Sequence, residues 1–213
     1  LFTDYYDVFG TMEFVGLGNY GLILSDPVFL WSVFLTLIYS VLMILPGIAL
    51  SLFLALFLNK QTKVAGFMRS GFFLPNVFDI YVVGVIWLLI YNPSDGIISE
   101  AMRLLGIGPF SDLADQGLLG NAWTSLPAIA IVMVLKNAGF GMILFLIRLN
   151  NIPESIFEAA DVDGATPWQK LVHITIPQLK PTILFLTITG LVASLNAFAE
   201  IFALTDNTGG VSF

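Results

Sequence analysis

Four stretches of this chain, 31–58, 70–91, 123–147 and 182–204, carry apolar residues almost without interruption. Each meets the length of roughly 20 residues that an α-helix needs to cross a bilayer. The apolar residues follow one another continuously and do not alternate, so the pattern predicts helices and excludes a transmembrane β-barrel. The first stretch holds no charged residue and exceeds the minimum, which predicts tilt or a kink at Pro46-Gly47. The other three each carry one ionisable residue, Asp79, Lys136 and Glu200 respectively. The fold class predicted is an all-α, polytopic membrane helix bundle forming a single domain over residues 1–213.

Composition turns that pattern into a requirement. Hydrophobic residues make up 57% of the 213 residues and charged residues 11%, against roughly 45–50% and about 25% in soluble domains. Mean hydropathy is +0.91. A soluble fold of this size has too little interior for so many apolar side chains, and lipid must serve as part of the solvent. The 19 glycines fit membrane helices. A net charge of −7 argues against a nucleic-acid partner. With no Cys and one His, His173, the chain has neither thiolate chemistry nor a His-rich metal site.

The connecting segments orient the bundle. Lys60, Lys63 and Arg69 follow the first stretch, and Arg148, Lys170 and Lys180 lie between the third and fourth; the opposite side has only Arg103. Basic residues concentrate on cytoplasmic loops, so 59–69 and 148–181 are predicted to be cytoplasmic, with 1–30, 92–121 and the tail external. Within 92–121, Ile97 to Leu105 reads as a short amphipathic helix on the membrane surface, covering helix ends.

The segment 148–181 is too long for a hairpin and too polar for a span. Pro153 and Glu154 suit a helix start, and Gly164 suits its end, where a left-handed backbone favours glycine. A second helix opens at Thr166-Pro167-Trp168-Gln169 with the residues of a capping box. It is predicted to stop before Pro177, with Pro181 marking re-entry into the bilayer. Small side chains at Ala159, Ala160, Gly164 and Ala165 leave a surface that another protein could approach closely; the same features would also serve a hairpin that only connects two spans.

The string Glu158-Ala159-Ala160, Gly164, Ile174 and Ile176-Pro177 resembles the EAA loop of binding-protein-dependent ABC importer permeases; the family's usual ending has Leu before the proline, where this chain has Ile176. The segments 14–20, 72–75 and 152–154, with Leu204-Thr205 before a Gly-rich stretch, resemble the sugar-transport branch, of the maltose and glycerol-phosphate type. That resemblance implies a type I importer transmembrane domain in the bacterial inner membrane, with the family's first and last helices beyond this sequence. It further implies a cytoplasmic ABC ATPase dimer holding ATP and Mg, a second and different permease subunit, and an external solute-binding protein. Glu158, Ala159, Ala160, Gly164, Ile174 and Pro177 would be the ATPase-coupling residues. The chain itself lacks the GxxxxGK[ST] pattern of a phosphate-binding loop and would bind no cofactor.

Polar residues inside membrane spans are costly and mark candidate pathways. Thr189, Ala193, Asn196 and Glu200 would form one helical stripe, Asn76 and Asp79 would share a face, and Lys136 and Asn137 stand mid-span. Asn196, Glu200, Asn76, Asp79 and Asn137 are therefore the substrate-pathway candidates. The competing reading is that Asn196 bonds a neighbouring helix, while Lys136 pairs with a carboxylate or snorkels. A permease for an amino acid, peptide or phosphate ester remains open, as does an intramembrane enzyme, although neither a metal cluster nor a Ser–Lys or paired-Asp arrangement is visible. The topology is testable because the chain is Cys-free. Single cysteines replacing Lys63 and Lys170 should be protected from an impermeant thiol reagent added to intact cells, and one replacing Asn19 should react. Labelling at position 63 would reverse the orientation.

Overall fold

The computed structural model describes residues 2–4, 13–60, 62–105, 117–120 and 122–205. They divide into two compact units at Ile38/Tyr39. In the first, strands β1 (Thr3–Asp4) and β2 (Glu13–Phe14) pair antiparallel with Thr3 opposite Phe14. Helix α1 (Gly18–Ser25) follows, and Asn19 Nδ2 ties it to the Thr3 carbonyl at 3.1 Å. Helix α2 (Pro27–Phe57) contributes its opening residues to this unit and the remainder to the second.

The second unit also holds α3 (Lys63–Val77), α4 (Ile80–Ile90), α5 (Ile97–Leu105), α6 (Ala122–Asn150) and α7 (Glu154–Val162). It closes with α8 (Pro167–Lys170), a π-helical turn at Leu171–Thr175, α9 (Ile176–Leu195) and α10 (Phe198–Thr205). Among the described residues, three helices are long and apolar enough to cross a membrane: Pro27–Phe57, Trp123–Asn150 and the continuous run Pro167–Leu195. A fourth crossing exists if α3 and α4 are counted as one bent pair. The amphipathic α5 forms as its pattern predicts; residues 106–116 and 121 of the same segment, and the tail beyond 205, lie outside the described residues.

Three boundaries differ from the hydropathy reading. The stretch 70–91 is not one helix: α3 and α4 meet at 102° across Phe78 and Asp79, both extended. The cause is local, since the Asp79 carboxylate accepts the Tyr81 N–H at 2.9 Å and so starts a new helix. The stretch 182–204 is also divided. Asn196 leaves helical geometry at φ −106°, ψ 20°, and α10 restarts at Phe198. Conversely, the helix opening at Thr166 does not stop before Pro177. The Ile176 N–H reaches back five residues to the Leu171 carbonyl. That widened turn accommodates the proline ring and leaves Pro177 in the first turn of α9, where a missing N–H costs least. Helix α2 runs uninterrupted through Pro46.

Helix α6 is the central element: 61% of its most apolar window is buried, against 11% for the Pro167–Leu195 run. Met142, Phe145, Leu146 and Leu149 of α6 pack with Leu54 of α2, Leu58 just beyond its end, Ala65 of α3 and Leu179 of α9. Glycines allow the closest approaches. A Cβ on Gly139 would lie 2.0 Å from the Phe72 carbonyl oxygen, and one on Gly141 would lie 2.4 Å from Ser51 Oγ. Small residues that bring helix backbones together are the usual means of packing in lipid. Gly139→Ala should therefore destabilise the bundle by about 1–3 kcal/mol, whereas Gly66→Ala, with nothing within 4 Å, should not. Thermal unfolding of the two variants in detergent checks the contrast.

Candidate functional site

Helices α2, α3, α6 and α9 enclose a cavity of about 380 Å³, within the range of small-molecule sites. Its hydrogen-bonding wall is supplied by Ser51, Asn76, Asn137 and Thr189, and its apolar wall includes Met43, Met133 and Phe140. Gly47, Gly141 and Gly190 also line it, the last two where their helices close on Ser51 and Ile44 of α2. Among the described residues, no formally charged side chain lines it.

The polar groups are held in place by their neighbours. Asn76, in the last turn of α3, donates from Nδ2 to Asn137 Oδ1 at 3.2 Å. Its backbone carbonyl accepts from Lys136 Nζ at 3.3 Å. Ser51 Oγ donates to the Ala138 carbonyl at 3.0 Å, and Thr189 Oγ1 donates to the Phe185 carbonyl at 2.8 Å. Both hydroxyls thus satisfy a carbonyl and keep lone pairs free to accept.

Of the pathway candidates, the structure brings Asn76 and Asn137 to this cavity and leaves Asp79, Asn196 and Glu200 off its wall. Asp79 is engaged as the N-cap of α4. Asn196 Nδ2 bonds the Val192 carbonyl at 2.8 Å, within its own helix end. Glu200 belongs to α10, beyond the break, so the expected stripe from Thr189 to Glu200 does not form; its Oε2 is buried without a hydrogen-bond partner, as is the Tyr39 hydroxyl. Thr189 and Ala193 do line the cavity. Ser51 and Phe140 were not singled out from the sequence. The available signal was the recurrence of small residues at 47, 51, 141 and 190 within long apolar runs.

The other candidate region is the corner between α7 and α8. Gly164 adopts φ +74° there, the left-handed geometry its position predicts. Thr166 and Gln169 form a complete capping box: Thr166 Oγ1 accepts the Gln169 N–H at 3.3 Å, and Gln169 Oε1 accepts the Thr166 N–H at 2.8 Å. An ion pair between Lys170 and Asp161 braces the two helices. Glu158, Ala159 and Gly164 are exposed while Ala160 is buried; Ile174 lies in the π-turn and Pro177 opens α9.

The helices thus form an apolar bundle with a cavity and an exposed, braced corner at Gly164. The chain belongs to the family of binding-protein-dependent transport system inner membrane components, whose sequence profile matches residues 20–212. It is 33% identical over 202 residues to the lactose transport system permease protein LacF of Rhizobium radiobacter, covering 93% of this chain and 65% of that one. It is 31% identical to the arabinooligosaccharides transport system permease protein AraP of Bacillus subtilis, covering 93% and 62%. A solved bacterial alginate ABC transporter, in complex with an alginate pentasaccharide-bound periplasmic protein, matches with a TM-score of 0.75 and 26% identity over 91% of this chain and 66% of that one. The chain thus spans less than two thirds of the length of each of these relatives.

Water access separates the cavity wall from the lipid-facing side of the same helix. Ala193→Cys and Asn137→Cys should react with a hydrophilic maleimide in the purified protein. Ile188→Cys, at neighbouring depth but on an exposed apolar face, should react far more slowly. Equal rates at all three positions would show that the cavity is closed to water.

Proposed function

We propose that this chain is the permease subunit of an ATP-driven importer that carries an uncharged sugar or related polyol across the bacterial inner membrane. Solute is delivered by an external solute-binding protein. ATP and Mg are held by a cytoplasmic ABC ATPase dimer, and a second, different permease subunit completes the pathway. The observation that carries this reading is the cavity wall. It offers amide and hydroxyl groups from Asn76, Asn137, Ser51 and Thr189 beside an apolar surface from Phe140 and the methionines, without a formal charge. Sugar hydroxyls need both donors and acceptors, and sugar C–H faces need apolar contact, whereas an anionic solute would need cations aimed into the site. Lactose and arabinooligosaccharides, which two of the relatives are named for, are of this uncharged kind, whereas the alginate of the solved transporter is acidic. Asp79, Asn196 and Glu200 belong to the route only in a conformation that brings them to it.

Docking of the ATPase is assigned to 153–177, with Glu158, Ala159, Ala160 and Gly164 at the contact and Ile174 and Pro177 joining the corner to the span. Open space around Gly164 and the exposed small side chains beside it suit close approach by another protein. The basic residues of 59–69 and 148–181 put this surface on the cytoplasmic side.

The test is uptake into proteoliposomes containing the full transporter with its ATPase and binding protein. Lactose and arabinose oligosaccharides should be transported and alginate oligosaccharides should not; uptake of the acidic sugar alone would overturn the assignment of substrate class. Gly164→Val should abolish ATP-coupled uptake, because a β-branched residue at φ +74° is strained by roughly 1–3 kcal/mol and its bulk projects toward the ATPase. Full transport by this variant would remove the loop from the coupling mechanism.

A further inference from the structure

Lys136 is a cation within an apolar span, and no carboxylate among the described residues lies within ion-pair distance of it. Its hydrogen bond goes instead to a peptide oxygen. Nζ donates to the Asn76 carbonyl at 3.3 Å, and that carbonyl has a particular status. Were α3 to continue, it would accept the N–H of Ile80; the break at Phe78–Asp79 removes that donor. The last carbonyls of a helix carry the negative end of its dipole and need donors from elsewhere, most urgently where water is scarce. Lys136 supplies such a donor, with its charge, from another helix. The next residue, Asn137, bonds the side chain of the same Asn76. Two consecutive residues of α6 therefore grip one residue of α3 by its backbone and its side chain, and the second grip forms part of the cavity wall. Gly139 permits this by letting the backbones of α6 and α3 meet.

We propose that Lys136 is a positioning residue for the cavity: its ammonium caps the interrupted end of α3 and thereby fixes the Asn76–Asn137 pair against which solute binds. The first half rests only on the helix-end geometry; the second rests on the proposed transport function. Because the charge is directed to the helix end, Lys136 is not the anion-binding cation that a phosphate-ester permease would require.

The two halves are separated by two readouts on Lys136→Arg, Lys136→Gln and Lys136→Met in the assembled transporter. In the Cys-free chain, spin labels at Leu74→Cys and Leu135→Cys report the α3–α6 separation without any solute. The distance distribution should stay narrow with Lys or Arg at position 136, broaden with Gln, and broaden most with Met. For uptake of lactose and arabinose oligosaccharides, the half-saturating concentration should rise about tenfold in Lys136→Met, the scale expected for losing a charge-assisted hydrogen bond. The maximal rate should change little, and Lys136→Arg should restore the wild-type value. Unchanged distance distributions in Lys136→Met would overturn the capping role. Broadened distributions with unchanged half-saturation would overturn the link to solute binding. A broadened distribution in a transporter whose wild type takes up neither sugar would leave the capping role standing and remove the proposed substrate class.

Discussion

Every interruption of a helix in an apolar surrounding exposes peptide carbonyls that water cannot reach, and satisfying them organises this protein. The chain has only eight basic residues, and several are directed at backbone oxygen. Arg69 makes bonds of 2.6 and 3.1 Å to the Leu58 carbonyl and reaches Lys60 as well, closing the end of α2. Arg103 holds the Pro93 and Ser94 carbonyls in the turn after α4. Arg148 bonds the Gln178 carbonyl in the first turn of α9, and Lys136 holds Asn76. An unmet carbonyl in a dry environment costs more than an exposed ion pair contributes, which accounts for Lys136 at the end of α3; several of the arginine contacts lie at exposed helix ends and turns. Carboxylates serve the opposite ends, as Asp79 does for α4.

The same constraint explains where the cavity lies. A broken span ends one helix and starts another inside the bundle, and a polar residue at the break, Asn76, also lines the cavity. Asn76 satisfies its neighbour and lines the cavity at once. Ser51 and Thr189 do likewise, donating to carbonyls while retaining acceptor capacity. Gly141 and Gly190 let α6 and α9 close on Ser51 and Ile44 of α2, and Gly139 draws α3 against α6. Packing and the lining of the cavity are thus set by one pattern of small and polar residues across four helices.

Features governed by local rules were legible in the sequence. The apolar runs, the Gly164 corner and the Thr166–Gln169 capping box each depend on a few adjacent residues, and each appears where those residues place it. Features set by competition between signals were not. Asp79 before Ile80-Tyr81 is an N-cap signal, but the surrounding hydropathy reads as one continuous helix. Pro177 signals a stop, and the π-turn before it removes that consequence. Asn196 and Glu200 have the right spacing for one stripe, and the stripe is lost because the helix ends between them. The cavity required knowing which helices meet, which no single run reveals.

The continuity of Pro167–Leu195 has a mechanical consequence. Its 29 residues form a lever about 43 Å long at 1.5 Å per residue, beginning beside the corner at Gly164 and carrying Thr189 into the cavity wall. Thr189 lies about 33 Å from Pro167 along this axis, so a pivot of about 10° at one end sweeps the other through roughly 6 Å. A hinge at Pro177 would absorb such a swing; the π-turn avoids one. It also acts as an index. One residue more than an α-helical turn rotates everything beyond it by about 100°, so the five residues Leu171–Thr175 determine which face of the lever the cavity meets.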